Sequence, residues 1–219
     1  MSTARQHLTR TLLALGVLVT VAGAAAAGPP LLCHAFDAGS APLLPWAKGQ
    51  SWDSPDTSYD VTRLTADTLR LLSPEAPILA RMENMRRATI YAARNREAAG
   101  ELMSAVMKRA EATSGSSDPL VWFDAGYLVE SYRQASHIYK WDMLTKVERT
   151  KWTLRDEPNG VDGYALVQKA ITMTGSSAEM EFAASLMKDG PAAAEHRRRA
   201  VAGAKAGSKK TKHATRSGL

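Results

Sequence analysis

The chain has 219 residues, 45% of them hydrophobic and 23% charged, which suffices for one globular domain with a sizeable core and falls short of two. Its net charge of +6 is carried by the ends: residues 1–27 hold Arg5 and Arg10 and no acid, residues 195–219 hold eight basic groups against Glu195 alone, and the stretch between them holds 18 basic against 21 acidic groups. A body near −3 argues against specific nucleic-acid binding, and a single cysteine excludes an internal disulfide framework or a zinc site built from several thiolates.

Arg5 and Arg10 precede an apolar run, Leu12 to Ala22, followed by Gly23, four alanines and Gly28-Pro29-Pro30. Basic, apolar, then small is the order of a secretory signal peptide, here residues 1–27 with cleavage expected near Ala27. The apolar part is shorter than the roughly 20 residues that span a bilayer, and no later segment reaches that length. The mature chain is therefore expected outside the cytoplasm, periplasmic or secreted. Pro30-Leu31-Leu32 ahead of Cys33 does not suit a lipoprotein cysteine, so a buried, inert thiol is expected there.

Residues 28–60 are rich in Pro, Gly, Ser and Asp and carry no helical or strand period. They read as an extended arm. Trp46, Trp52 and Tyr59 are too much apolar surface for a solvated linker and should pin the arm to the body. The body, 61–190, is helical. Val61, Leu64, Thr65, Thr68, Leu69 and Leu72 share one face of a first helix that Ser73-Pro74 ends. A second helix, Ala76 to Asn95, has Leu79, Met82, Met85, Thr89, Ile90 and Ala93 on its apolar side, with Arg81, Glu83, Arg86 and Arg87 largely elsewhere. A third runs from Glu97 to Ala112. After the loop Thr113–Pro119, Asp118-Pro119 opens a fourth that carries Trp122, Ala125, Gly126, Val129 and Tyr132 to about Tyr139. Residues 140–160 lack a clean period and are read as an insertion. Helices over Val161–Thr174 and Ser177–Lys188 close the body. The basic residues 191–219, among Ala, Gly and Ser, are expected to be disordered. The fold class is all-α, with successive helices stacked as antiparallel hairpins.

The helix pairs resemble the tetratricopeptide repeat, in which W-x-x-L-G-x-x-Y is followed by A-x-x-x-F and then Pro. Trp122-x-x-Ala125-Gly126-x-x-Val129 keeps that spacing, and Gly163-x-x-x-Val167-x-x-Ala170, followed by Gly175, is similar to the second helix. Gln168-Lys169-Ala170-Ile171 and then Ala178-Glu179 look like the passage into a next repeat, while Met103-x-x-x-Met107-x-x-Ala110 repeats the second-helix pattern. The resemblance covers about residues 76–188. It implies a stack of helical hairpins and recognition of a protein or peptide partner in a groove, for which Arg86, Arg87, Tyr91, Tyr127 and Tyr132 are the candidate lining residues.

For chemistry, Cys33-His34-x-x-Asp37 is the one tight set of possible metal ligands, and a metal- or haem-handling protein is the alternative it carries. No cofactor is otherwise implied. His137 beside Ser136 lacks a recognisable catalytic setting, Glu179 with Glu181 and Asp156 with Glu157 are too close in sequence to face one another on a helix, and no G-x-S-x-G, phosphate-loop, G-x-G-x-x-G or H-E-x-x-H pattern occurs. An enzyme is not expected. The sequence thus predicts an exported binding or scaffolding protein of the bacterial cell envelope, with weak contact to anionic lipid or polysaccharide through the basic tail.

Overall fold

Aspartate and serine punctuate the chain where its helices begin. In a computed structural model, Asp60 accepts from the Thr62 N–H, Asn95 from the Glu97 and Ala98 N–H groups, Asp118 from Leu120, Asp162 from Ala165 and Ser177 from Met180, each satisfying an amide that the first helical turn leaves open. The structure describes residues 30–47, 51–112, 118–140, 143 and 160–216, with side chains as far as Gly207. All regular structure among them is helical: a 3-10 turn at Val61–Arg63, then α1 (Leu64–Leu71), α2 (Ile78–Ala92), α3 (Arg96–Ala112), α4 (Pro119–Tyr139), α5 (Gly163–Thr174), α6 (Ala178–Ser185) and α7 (Gly190–Arg216). None of the described helices is long and apolar enough to cross a membrane. The expected signal peptide lies outside the described residues, as does most of the expected insertion.

The fourth helix is the axis of the body. From Val121 to Tyr132 every residue of α4 is buried, which a helix achieves only when it is packed on all sides. α2, α3 and α5 supply those sides. Against α5 the approach is closest at Gly126, where an added Cβ would lie 2.4 Å from Gly163 O and 2.9 Å from Leu166 Cβ. Small residues at both positions let the two backbones meet. The two helices run antiparallel: Gly126 meets Leu166 and Val167, while further along α4 the Arg133 guanidinium reaches Val161 O at 3.1 Å. α3 also runs antiparallel to α4, since the Tyr132 hydroxyl donates to Ala99 O at 3.0 Å near one end and Arg109 lies 3.8 Å from Asp124 near the other.

α7 corrects the expectation of a tail disordered from residue 191. Its composition lacks bulky apolar groups, which reads as disorder, but Ala193, His196, Ala200 and Gly203 recur at the spacing of one helix face. Ala193 and Ala200 are buried, and a Cβ on Gly203 would sit 3.1 Å from the Ala178 side chain. Alanine is the strongest helix former, so a narrow stripe of small residues suffices to seat α7 on α6.

Candidate peptide-binding face on α2

Periodicity divides α2 into an apolar and a charged side, and it predicts solvent for the charges. They are buried instead. Arg81, Glu83, Asn84 and Arg86 are each 1% exposed or less: Arg81 turns to Asp124 of α4 and the α1–α2 turn, while the arm covers Glu83, Asn84 and Arg86. Leu31, Leu32 and Leu44 of the arm are fully buried in the core, and they bring its backbone against the polar side chains of α2.

Glu83 organises that face. Its Oε2 accepts from Arg86 Nε at 2.8 Å and from the Phe36 N–H at 3.0 Å, and its Oε1 accepts from Arg86 Nη2 at 2.9 Å and Arg87 Nε at 2.7 Å. Burial pushes the Glu83 carboxyl up, but the hydrogen bonds and charge of Arg86, with the Phe36 amide and Arg87, more than offset it and hold the group below its ordinary value. Held flat by Glu83, the two guanidiniums turn outward onto arm carbonyls. Arg86 Nη1 donates to Leu32 O at 3.2 Å and Trp52 O at 3.0 Å, and Arg87 Nη1 donates to Leu44 O at 2.5 Å.

Next to Glu83 in sequence, Asn84 meets the arm with both halves of its amide. The Leu44 N–H donates to Asn84 Oδ1 at 2.8 Å, and Asn84 Nδ2 donates to Pro42 O at 3.1 Å. The Tyr91 hydroxyl donates to Pro45 O at 2.8 Å and accepts from the Asp56 N–H at 3.1 Å, and Arg94 donates to Asp53 O at 2.6 Å. Trp46 lies over Arg86 and Arg87, 4.9 and 5.6 Å from its ring centre, with its edge toward Tyr91. Trp46 and Tyr59, which packs on Tyr91 at 4.7 Å, pin the arm as the sequence predicted. The polar bonds read main chain, while Leu44 and Trp46 supply the side-chain contacts.

Of the five residues expected in a groove, Arg86, Arg87 and Tyr91 come together here, though beneath the arm. Tyr127 and Tyr132 do not line that face, although the Tyr127 hydroxyl lies near enough in the core to feel the charges of Glu83 and Arg86. Both are fully buried in α4: Tyr127 packs on Phe123 at 5.7 Å, and Tyr132 holds Ala99 of α3. The expectation of exposed lining residues is therefore corrected for all but Arg87, which is partly exposed: the arm covers Arg86 and Tyr91, and α4, packed on every side, turns Tyr127 and Tyr132 inward. Glu83 and Asn84 were missed by sequence reasoning. The i, i+3 and i, i+4 spacing of Glu83 to Arg86 and Arg87 was the available signal; Asn84 offered none.

The metal alternative fails on geometry. Cys33 is buried, whereas His34 and Asp37 face solvent and Asp37 Oδ1 is taken by the Gly39 N–H at 2.9 Å. Among the described residues no three or more of His, Cys, Asp and Glu converge as a metal site. Burial, more than the opposing charge of Arg86, pushes the Cys33 thiol up and away from thiolate reactivity.

Two further polar clusters lie inside the body. Arg81 Nη1 meets Asp124 Oδ2 at 2.7 Å with both side chains buried, and Arg81 also donates to Ala76 O at 3.1 Å and to Ser73 O, so the pair ties the α1–α2 turn to α4. Burial outweighs Arg81 at Asp124 and pushes its carboxyl up to about 6. At the other end of the body, His196 Nδ1 lies 2.5 Å from Glu181 Oε2 and its Nε2 lies 2.9 Å from the Tyr164 hydroxyl. That chain joins α7 to α6 and α5. Comparison with known proteins finds no family model, no curated protein and no solved structure that matches the chain.

Proposed function

We propose that this chain is a binding or scaffolding protein of the bacterial cell envelope whose helical body holds an extended segment of a protein or peptide partner by its main chain. The observation that carries the reading is the two-bonded grip of Asn84 on Pro42 and Leu44, flanked by carbonyl bonds from Arg86, Arg87 and Tyr91. Side chains that grip backbone in this way accept many sequences, while the apolar contacts select among them. In this reading the arm is the resident ligand, and a partner enters by exchanging with it. The resemblance to the tetratricopeptide repeat supports the same class of function, and the order of charge and apolar residues in 1–27 supports the envelope as its place.

The test is an exchange experiment. A protease site inserted between Thr57 and Ser58, which are exposed at the base of the arm, is cut in the folded protein, and a labelled synthetic peptide of residues 30–56 is titrated into it. Anisotropy should rise saturably with the wild-type face and weaken at least about tenfold with Asn84→Ala. No saturable exchange, or exchange indifferent to Asn84, refutes the proposal.

A further inference from the structure

The outward side of α7 carries charge that nothing in the body uses. Ala193, His196 and Ala200 are buried toward α6, and the residues about half a turn away are basic. Arg197, Arg198, Val201, Ala202 and Lys205 together line one shallow open recess, so their side chains share a face. Arg197 and Lys205 pair with no carboxylate among the described residues, whereas Arg199, on the flank, is taken up by Glu195 at 3.0 Å and lies 3.9 Å from Glu181. Arg198 shares Glu195. The helix continues to Arg216, and at 100° per residue positions 205, 209, 212 and 216, all Lys or Arg, fall on one line with position 198.

We propose that this face of α7 docks on an anionic lipid surface. Three features favour a bilayer over other polyanions. The basic positions form a straight line along a helix of 27 residues, about 40 Å at 1.5 Å per residue, which suits a plane better than a groove. Among them stand the small side chains of Val201 and Ala202, which let the helix axis approach a surface, and no Phe, Tyr or Trp to stack on bases follows Gly190. Val201 is 53% exposed in the middle of the cations, the arrangement of a helix that lies in the headgroup layer. The opposed signs of tail and body also orient the molecule: the residues from 195 carry a net +7 and the body near −3, so the surface that attracts α7 repels the body. This inference is independent of the peptide-binding reading.

The experiment compares co-sedimentation of the full chain with vesicles of phosphatidylglycerol and phosphatidylcholine in equal parts and with vesicles of phosphatidylcholine alone. Both preparations see the same N-terminal residues, so the difference between them reports the anionic lipid. One variant moves two charges around the helix at constant net charge: Lys205→Ala with Ala206→Lys, and Lys212→Ala with His213→Lys. A second removes them, with Lys205→Gln, Lys209→Gln and Lys212→Gln. Circular dichroism checks that each retains wild-type helix content. The wild-type chain should prefer the anionic vesicles, the preference should weaken roughly tenfold in the transposed variant, and it should be lost in the neutralised one. Wild-type partitioning by the transposed variant overturns the proposal, as does equal partitioning of the wild-type chain into both vesicles. Tighter binding to duplex DNA or to an anionic polysaccharide at equal charge also overturns it and assigns the face to that polyanion.

Discussion

Asn84 occupies the position on α2 where the arm's backbone turns inward. Its amide gives one acceptor to the buried Leu44 N–H and one donor to the Pro42 carbonyl, so Asn84→Leu strands the Leu44 N–H under the arm. A buried polar group left without its partner costs about 1–3 kcal/mol, and that loss should appear as a lower urea midpoint with an unchanged slope. Two carboxyls on the same body predict opposite pH responses. Glu83, held below its ordinary value, contributes stability that is present above about pH 4.5 and is lost as pH falls through its lowered folded value. Asp124 is raised from 3.8 to about 6, so between those values the folded chain binds the extra proton and stability falls as pH rises. Asp124→Asn should therefore flatten the decline in urea midpoint between about pH 4 and 6, leaving the loss at lower pH in place. Glu130, also raised by burial, keeps part of the decline. An unchanged pH slope in Asp124→Asn would contradict its buried, raised state.

At the scale of elements, the helices were legible and their polar faces were not. Apolar spacing placed α1 to α6 with boundary shifts of a few residues, because a buried stripe at the helical period is written locally. The fate of Arg81, Glu83, Asn84 and Arg86 is decided by what covers them, and no helix sequence records its cover. The arm did carry a hint, in Leu31, Leu32 and Leu44, that it belongs to the core. α7 was illegible for a different reason. Its seat is made of Ala and Gly, and its buried polar contact among the described residues is His196 between Glu181 and Tyr164. His196→Ala leaves the Glu181 side chain buried beside the weaker contacts of Ser176 at 3.2 Å and Arg199, a loss of about 3–5 kcal/mol. Because the contact joins α7 to its neighbours, hydrogen exchange should show protection falling first over 190–207. Equal loss across α2 and α4 would make His196 a general core residue instead of the fastener of α7.

The molecule as a whole depends on whether arm and body are one cooperative unit. Leu31, Leu32 and Leu44 belong to the same buried cluster as Met85, Tyr91 and Phe182's neighbours on α6, Ala183 and Ala184, and Phe36 packs its ring edge-on against Phe182 at 6.2 Å. The arm is thus a wall of the core, and detaching it opens apolar surface together with the Glu83 network. Leu44→Ala removes buried carbons at the point where Asn84 and Arg87 also hold the chain, and truncations of this kind cost about 2–5 kcal/mol. If the arm closes the core, the Leu44 amide should exchange as slowly as the amides of Val129 and Leu102, and Leu44→Ala should speed all three alike. If the arm opens by itself, the Leu44 amide exchanges faster and only it responds. A partner that competes for the α2 face must enter through whichever opening this measures. Global opening makes exchange slow and tied to overall stability, so a partner would bind fastest while the chain is folding; local opening makes the face accessible in the folded protein.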